Sequence, residues 1–599
     1  MPTQDFRARP NVRRRMSSLV ERVWRAGVFL PAIAVTAALV WGLSTVFATD
    51  GIGSFEYVLL TLIGVTFVWV SLAVSTVVIG LISRTAPTTP VQPPKPLDVA
   101  ILVPIYNENV SDVFGNAAAM LQDLSRQHSP HRYALYILSD TRDAEIAAAE
   151  QVAYLHLSQQ APNGFAVHYR RRSDNRGKKV GNLADWITGW GAGHDAMLVL
   201  DADSLMSGAT ITHMADALSA DPDAGLIQSY PQLIGARSLY GRLQQFSNVA
   251  YGWLLAEGLA TWTRTEGNYW GHNAIIRTRA FAESAGLPQL SGARLILSHD
   301  FVEASLLRRA GWTVRFLPRL SGSFEETPGT LIDYIIRDQR WCRGNLQHLR
   351  LLGAKGLHPV SRFHLFQGAA AYLMSPAWFV LLVFWALLGR DAETNVIRYF
   401  NEANPLFPNW PPEMTHINSA VFLVIMYSIL MAPKLTAATV IACYPKAARL
   451  YGGRLAFVRA FLVEVALSIA YAPILMVQQS RAVLRGLFRR DNGWAPQARD
   501  AQQHSLRTLL AFHWVETGLG GLLVLGMASG LVSLWLLPIA VSLLCAVPLS
   551  GLSAVSMTRL SRAFQMNSPL TLREPAIVLN ARCARAEMSG ALAEDPALG

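Results

Sequence analysis

The chain has 599 residues, 51% of them hydrophobic and only 16% charged, with a formal net charge of +11 at pH 7. That apolar content excludes a disordered chain, and a charge fraction well under the ~25% of ordinary soluble domains argues against a wholly water-soluble one. The four cysteines, Cys342, Cys443, Cys545 and Cys583, are too far apart for a CxxC unit, which excludes a zinc-ribbon or thioredoxin motif and leaves free thiols.

Residues 1–27 read as a basic cytoplasmic segment, with Arg7, Arg9, Arg13, Arg14, Arg15, Arg22 and Arg25 against Asp5 and Glu21. Residues 28–84 read as two transmembrane helices, because Val28–Ala48 and Tyr57–Ile82 are uncharged and each exceeds the ~20 residues that cross ~30 Å of hydrocarbon. The first is too long for a signal h-region and reads as a retained anchor. The connector Thr49–Glu56 carries Asp50 and Glu56 but no base, so the positive-inside bias places residues 1–27 inside and the connector outside. Residues 85–97 (TAPTTPVQPPKPL) form a proline-rich linker, stiff and closed to helix. Residues 98–355 have ordinary polarity and read as a cytoplasmic domain.

Residues 356–558 read as a membrane region with about four transmembrane helices. Phe366–Gly389 is uncharged, Ile417–Ala442 is apolar with Lys434 as its one charge, and Phe512–Val555 reads as a tight pair of spans. The stretch near 461–510 reads instead as interfacial or gating. Phe461–Gln479 is interrupted by Pro473, and a crossing there would put the following Arg481, Arg485, Arg489 and Arg490 outside. Residues 559–599 read as a cytoplasmic tail.

Within the middle domain, short branched runs alternate with helical segments. Strands are predicted at Asp98–Pro104, Tyr133–Ser139, Phe165–Arg170 and Ala196–Leu200, and helices at Ala117–Arg126, Ala144–Gln159 and Val180–Trp190. This alternation implies βαβ units and a mostly parallel sheet, whose ligands bind at the carboxyl ends of the strands. Asp201-Ala202-Asp203 follows the fourth predicted strand, and two carboxylates one residue apart can share Mg²⁺ or Mn²⁺. The run Arg170–Lys179 carries six bases and lacks the interleaved aromatics of a nucleic-acid surface, so a diphosphate is its expected partner. No GxxxxGK[ST] is present, which disfavours P-loop energised transport.

Pro104–Glu108, Asp140, Lys179–Leu183, Asp201–Ser204, Gly271–Ala274, Ser298–Asp300 and Gln339–Trp341 occur in the order found in family 2 glycosyltransferases. As a set they resemble that family over about residues 95–350. The implied architecture is an α/β GT-A, Rossmann-like domain inserted in a polytopic α-helical membrane protein of cellulose-synthase type. More narrowly, LSHDFVEA, RRAGW and RDQRWCRGNLQH resemble the subgroup that builds the backbone of osmoregulated periplasmic glucans.

The resemblance implies an inverting transferase that uses UDP-glucose to extend a β-1,2-glucan in the bacterial inner membrane. Tyr106 and Glu108 would meet the nucleoside, Asp140 the uracil or ribose, and Lys179 the diphosphate. Asp201 and Asp203 would hold the metal and phosphates. Asp300 would be the general base, Arg340 a diphosphate contact, and Trp341 a stacking surface for the acceptor sugar. Glu303 reads as an orienting or structural neighbour, and His299 as a packing one. Arg337 stands where polymerising synthases carry the first glutamine of QxxRW, which weakens a cellulose or chitin assignment. Implied partners are UDP-glucose, the growing glucan, membrane lipid, a periplasmic glucan-processing protein and acyl carrier protein. A gating role is considered for Asp491–Arg499. A cellulose-, chitin- or hyaluronan-like synthase, a lipid glycosyltransferase, and a transporter with a regulatory nucleotide-binding domain remain as alternatives.

Overall fold

The computed structural model describes all residues except 11–16, 48–51, 84–93, 289–294, 388–418, 489–503, 533, 562–563 and 595–599. Most of the proline-rich linker, the loop after the third predicted span and the candidate gating segment therefore lie outside the described residues.

The catalytic domain is built on a seven-stranded sheet. Its strands are β1 (Asp98–Ile105), β2 (Arg132–Ser139), β3 (Ala166–Arg171), β4 (Ala196–Val199), β6 (Ala224–Ser229), β8 (Ala274–Arg277) and β9 (Thr313–Leu317), in the order β3-β2-β1-β4-β8-β6-β9. All neighbours pair parallel except β8, which runs antiparallel between β4 and β6. The sheet is therefore mixed. A smaller sheet joins β5 (Leu205–Met206), β10 (Ser323–Glu326) and β7 (Gln232–Ile234).

The two-residue period of a strand explains why β1 is apolar throughout. Val99, Ile101 and Val103 face one core, with helices α3 (Val110–Ser125) and α6 (Gly208–Ala220). Ala100 and Leu102 face the other, with α5 (Lys178–Gly189), α9 (Thr278–Ser284) and α10 (His299–Arg309). Asn109 caps α3 by accepting from Asp112 N–H, and Asp143 caps α4 (Ala144–Gln160) by accepting from Glu145 and Ile146 N–H.

The segment read as a plain tail ends in a docked helix, α20 (Ala576–Glu594). Its Ile577, Ala581 and Met588 enter the same core as α3, and Arg585 bonds Asn116 at 2.9 Å and Glu326 at 2.8 Å. Residues 3–8 also bond to the catalytic domain. Both ends of the described chain therefore lie on the catalytic side.

Among the described residues, five helices are long and apolar enough to cross a membrane. Four lie on α1 (Leu19–Phe47), α2 (Ser54–Ile82), α12 (Pro359–Leu387) and α16 (Leu506–Ala528). The fifth is α15 (Arg454–Leu487), a single helix that runs through Pro473 rather than breaking there. Its Phe457, Ala460, Tyr471 and Ile474 pack with α7 (Leu239–Ala250) and α11 (Leu331–His348), while Leu455, Leu462, Ile469 and Leu487 form a bare apolar face. Buried Glu464 fixes the near side, accepting from Ser247 at 2.7 Å, Tyr251 at 2.9 Å and Lys434 at 2.7 Å. Lys434 belongs to α13 (Ser419–Cys443), which α14 (Pro445–Leu450) links to α15.

The last predicted span is not one helix. It divides at Cys545 into α17 (Leu537–Leu544) and α18 (Ala546–Ser553), because Pro548 has no N–H to bond back across the joint. Helices α8 (Gly252–Thr263) and α19 (Pro569–Leu572) complete the chain.

Candidate active site

The carboxyl ends of β1, β2 and β4 open onto a cavity of about 720 Å³. Its walls bring together Tyr106, Glu108, Asp140, Lys179, Asp201, Asp203, Arg340 and Trp341. Lys178 on this wall, and Asn107 and Asn273 next in sequence to the wall residues Tyr106, Glu108 and His272, hold φ near +50°, a strained conformation for non-glycine residues. Asn107 is held in place from both sides: its N–H donates to Thr141 Oγ1 at 3.0 Å, and its Oδ1 accepts from Arg142 N–H at 3.1 Å.

Asp140 follows β2 and is almost fully buried. Both of its oxygens accept from Arg172, at 2.7 Å each, so the carboxylate enters the site already forked by a guanidinium. The basic run is thus divided. Arg170 bonds Asp185 and Asn182, Arg171 donates to Thr141 O at 2.9 Å, and Arg172 holds Asp140. Lys178 and Lys179 are the bases of this run on the cavity wall. The basic run therefore does not act as one cluster: Arg170 is tied to α5, Arg171 and Arg172 to the turn after β2, and the start of α5 brings Lys178 and Lys179 to the cavity. Gly177, at φ +72°, makes the turn into α5.

Lys179 Nζ bonds Asp201, and also Gly271 O at 2.8 Å. Asp201 and Asp203 give a two-carboxylate oxygen set on an open wall. No group of three or more metal-ligating side chains occurs among the described residues. This donor chemistry fits a hard divalent ion that completes its shell with phosphate oxygens and water.

His272 also lines the cavity, 3.2 Å from Glu325, and its Nδ1 is buried without a hydrogen-bond partner. Burial disfavours its charge, but Asp201 and Glu325 outweigh burial and lift it to about 9.

Asp300 lies in the first turn of α10, next in sequence to the cavity-lining Ser298 and His299. A carbon added to Gly271 would lie 3.6 Å from its Oδ2, so the carboxylate sits one backbone away from the Lys179 and Asp201 pair. Burial raises its pKa, His299 opposes that, and Glu303 adds to it. His299 Nδ1 pairs with Glu303 at 3.0 Å. Burial, then the charges of Glu303, Asp300 and Asp201, raise the Tyr269 hydroxyl well above its usual range.

Helix α11 supplies the remaining wall. Thr330 caps it by accepting from Asp333 N–H. Its Arg337 guanidinium lies 4.6 Å from the Trp341 ring centroid, while Trp341 stays half exposed. Burial, with repulsion from Arg337 and Arg343, lowers the Arg340 pKa, and Glu108 opposes this. Asp338 turns the other way, accepting from Tyr372 and Gln479 at 2.9 Å each. The residue in place of glutamine is thus a cation stacked on the tryptophan. Sequence reasoning missed this, as it missed His272 on the cavity wall, although the pairing of Arg337 with an aromatic one helical turn on was available as a signal.

Two family models match the chain: "Glycosyl transferase family 2" over residues 100–284 and "Glycosyl transferase family group 2" over residues 196–549. The glucans biosynthesis glucosyltransferase H of Vibrio cholerae serotype O1 is 42% identical over 571 residues, 93% of this chain and 78% of that one. The protein of the same name from Shewanella sp. (strain ANA-3) is 42% identical over 531 residues, 87% of this chain and 73% of that one. A mannosyltransferase of Pyrobaculum calidifontis, solved with GDP-mannose and Mn²⁺, superposes at TM-score 0.42 with 14% identity over 73% of this chain and 100% of that one, a likeness too loose to place any residue. By the breadth of the family match and the identity of these relatives, the chain belongs to the glucans biosynthesis glucosyltransferase H family of family 2 glycosyltransferases.

Proposed function

We propose that the protein transfers glucose from UDP-glucose onto a growing β-1,2-linked glucan, the backbone of osmoregulated periplasmic glucans, and passes the chain across the bacterial inner membrane. The observation that carries this reading is the single cavity that gathers Tyr106, Glu108, Asp140, Lys179, Asp201, Asp203, Arg340 and Trp341, with Asp300 next in sequence to its wall residue His299.

In this reading Tyr106, Glu108 and Asp140 hold the nucleoside. Lys179, His272 and Arg340 take the diphosphate charge, which grows as the bond to glucose breaks. Asp201 and Asp203 would hold Mg²⁺ or Mn²⁺, which would supply Lewis-acid stabilisation of the departing UDP. Trp341, steadied by Arg337, stacks on the acceptor sugar. Asp300 accepts the proton of the acceptor hydroxyl, whose oxygen bonds to the anomeric carbon on the face opposite UDP. The bond to UDP breaks on the other side, which inverts the centre and converts an α-linked donor into a β-glucoside. The raised pKa of Asp300 suits it to hold that proton. The His299–Glu303 pair orients the first turn of α10.

Packing supports the membrane reading. With one face packed on α7 and α11 around buried Glu464, and Arg481, Arg485 and the following bases at its end, α15 is read as lying at the inner interface. The helices α1, α2, α12, α13 and α16 and the α17–α18 pair cross. That even number agrees with both chain ends docking on the cytoplasmic catalytic domain. Partners in this reading are UDP-glucose, the glucan and membrane lipid, with a periplasmic glucan-processing protein and acyl carrier protein as further candidates. Linkage analysis of polymer made by purified protein from UDP-glucose tests the proposal. Glucose joined through β-1,2 bonds is the expected product; a β-1,4 product, or none, would contradict it.

A further inference from the structure

We propose that residues 1–10 form a strap that positions α10, the helix bearing Asp300, against the cavity wall. The proposal rests on the reading of Asp300 as the base. The strap is tied down at three places. Thr3 forms a parallel β-bridge with Gly286, and Gln4 N–H donates to Gly286 O at 2.9 Å. Phe6 packs in one apolar cluster with Leu287 and with Val302 and Leu306 of α10. Arg309, on the last turn of α10, donates to Asp5 O and Ala8 O at 2.6 Å each, and its guanidinium lies 5.9 Å from the Phe6 ring centroid. Met1 and Thr3 themselves reach the cavity, beside Gly286 and Leu287.

One short stretch therefore grips both the wall that follows α9 and the far end of the helix that carries the base. The bonds from Arg309 are charge-assisted, and the β-bridge fixes the register of the strap on the wall. Helix α10 is a rigid body, so a grip on Arg309 and Val302 fixes Asp300 at its other end. A small displacement of a reacting group lowers rate steeply.

Gly286 shows that the strap was accommodated rather than laid down by chance. A carbon added there would lie 2.0 Å from Pro2 O, and its three nearest atoms all belong to Pro2 and Thr3. Its φ is not positive, so the backbone would accept alanine; the strap alone excludes it.

This gives a specific test in the full-length protein in lipid nanodiscs. Three variants are compared: Gly286→Ala, deletion of residues 2–9, and both together. Gly193→Ala, where an added carbon meets nothing within 4 Å, is the control. Turnover of UDP-glucose is measured per UDP-binding site, so that misfolded protein does not count, and hydrogen exchange is followed across residues 298–306. Gly286→Ala and the deletion should each lower kcat about tenfold with KM changed less than about threefold. The combination should be no worse than the deletion, because the clash disappears with its partner. Exchange in α10 should quicken in all three variants and not in the control. Additive losses, or unchanged kcat and exchange in the single variants, would overturn the proposal. If the wild-type protein transfers no glucose, the functional reading fails and exchange alone decides on the strap: quickened exchange in α10 supports it, and unchanged exchange overturns it.

Discussion

Replacing Arg172 with methionine would strand the Asp140 carboxylate. The two side chains are 13% and 3% exposed, and two bonds of 2.7 Å join them. At that separation two unit charges attract by about 6 kcal/mol at an effective dielectric near 20. Much of this offsets lost hydration, and stranding one partner of a buried pair costs about 3–5 kcal/mol. Arg172 keeps a wet edge, which points to the low end, about 3 kcal/mol, or about two decades in an equilibrium constant. Arg172 also donates to Lys178 O at 3.4 Å, so the same change loosens the turn that carries Lys179. Thermal unfolding should show the protein destabilised by about 3 kcal/mol for Arg172→Met. Adding Asp140→Asn should recover about half of that, because the stranded charge is gone. Arg172→Lys should recover little, since an ammonium cannot fork two carboxylate oxygens. Stability within about 1 kcal/mol of wild type for Arg172→Met, or a further loss of stability on adding Asp140→Asn, would refute this reasoning.

Two further consequences can be measured. His272 is raised to about 9, so it is cationic at neutral pH and loses its charge as pH rises through that value. UDP affinity in metal-free buffer should fall through the same range, and Glu325→Gln, by removing a group that raises the pKa, should move the fall to lower pH; a flat profile would count against a phosphate contact. In Gly115→Leu the added carbon would meet Arg585 Cα and N at 2.6 Å, prising α20 from α3. Exposing Ile577 and Met588 should cost about 3–5 kcal/mol, seen as early thermal unfolding and protease cleavage within α20.

Much of the catalytic fold was legible because β1, β2 and β4 are unbroken apolar runs, the signature of strands covered on both faces. Each is followed by the polar residues that line the cavity. Strand β8 was hidden by its brevity, and its antiparallel placement depends on the long-range pairings with β4 and β6. The pairing of Arg172 with Asp140 spans 32 positions and leaves no periodic trace, so the basic run looked like a single anion site. Helix α20 was missed because its apolar residues are sparse and make sense only against α3. For α15, the arginines after Phe461–Gln479 signalled an unusual helix, but its length through Pro473 and its hold on Glu464 emerge only from packing.

The role given to Asp300 is tested most directly by Asp300→Asn, with label transfer from UDP-[¹⁴C]glucose and UDP binding measured on the same purified protein. Transfer should fall by about 10²–10⁴, the usual contribution of a general base, while UDP affinity stays close to wild type. Undiminished incorporation of label with UDP still bound would contradict the mechanism.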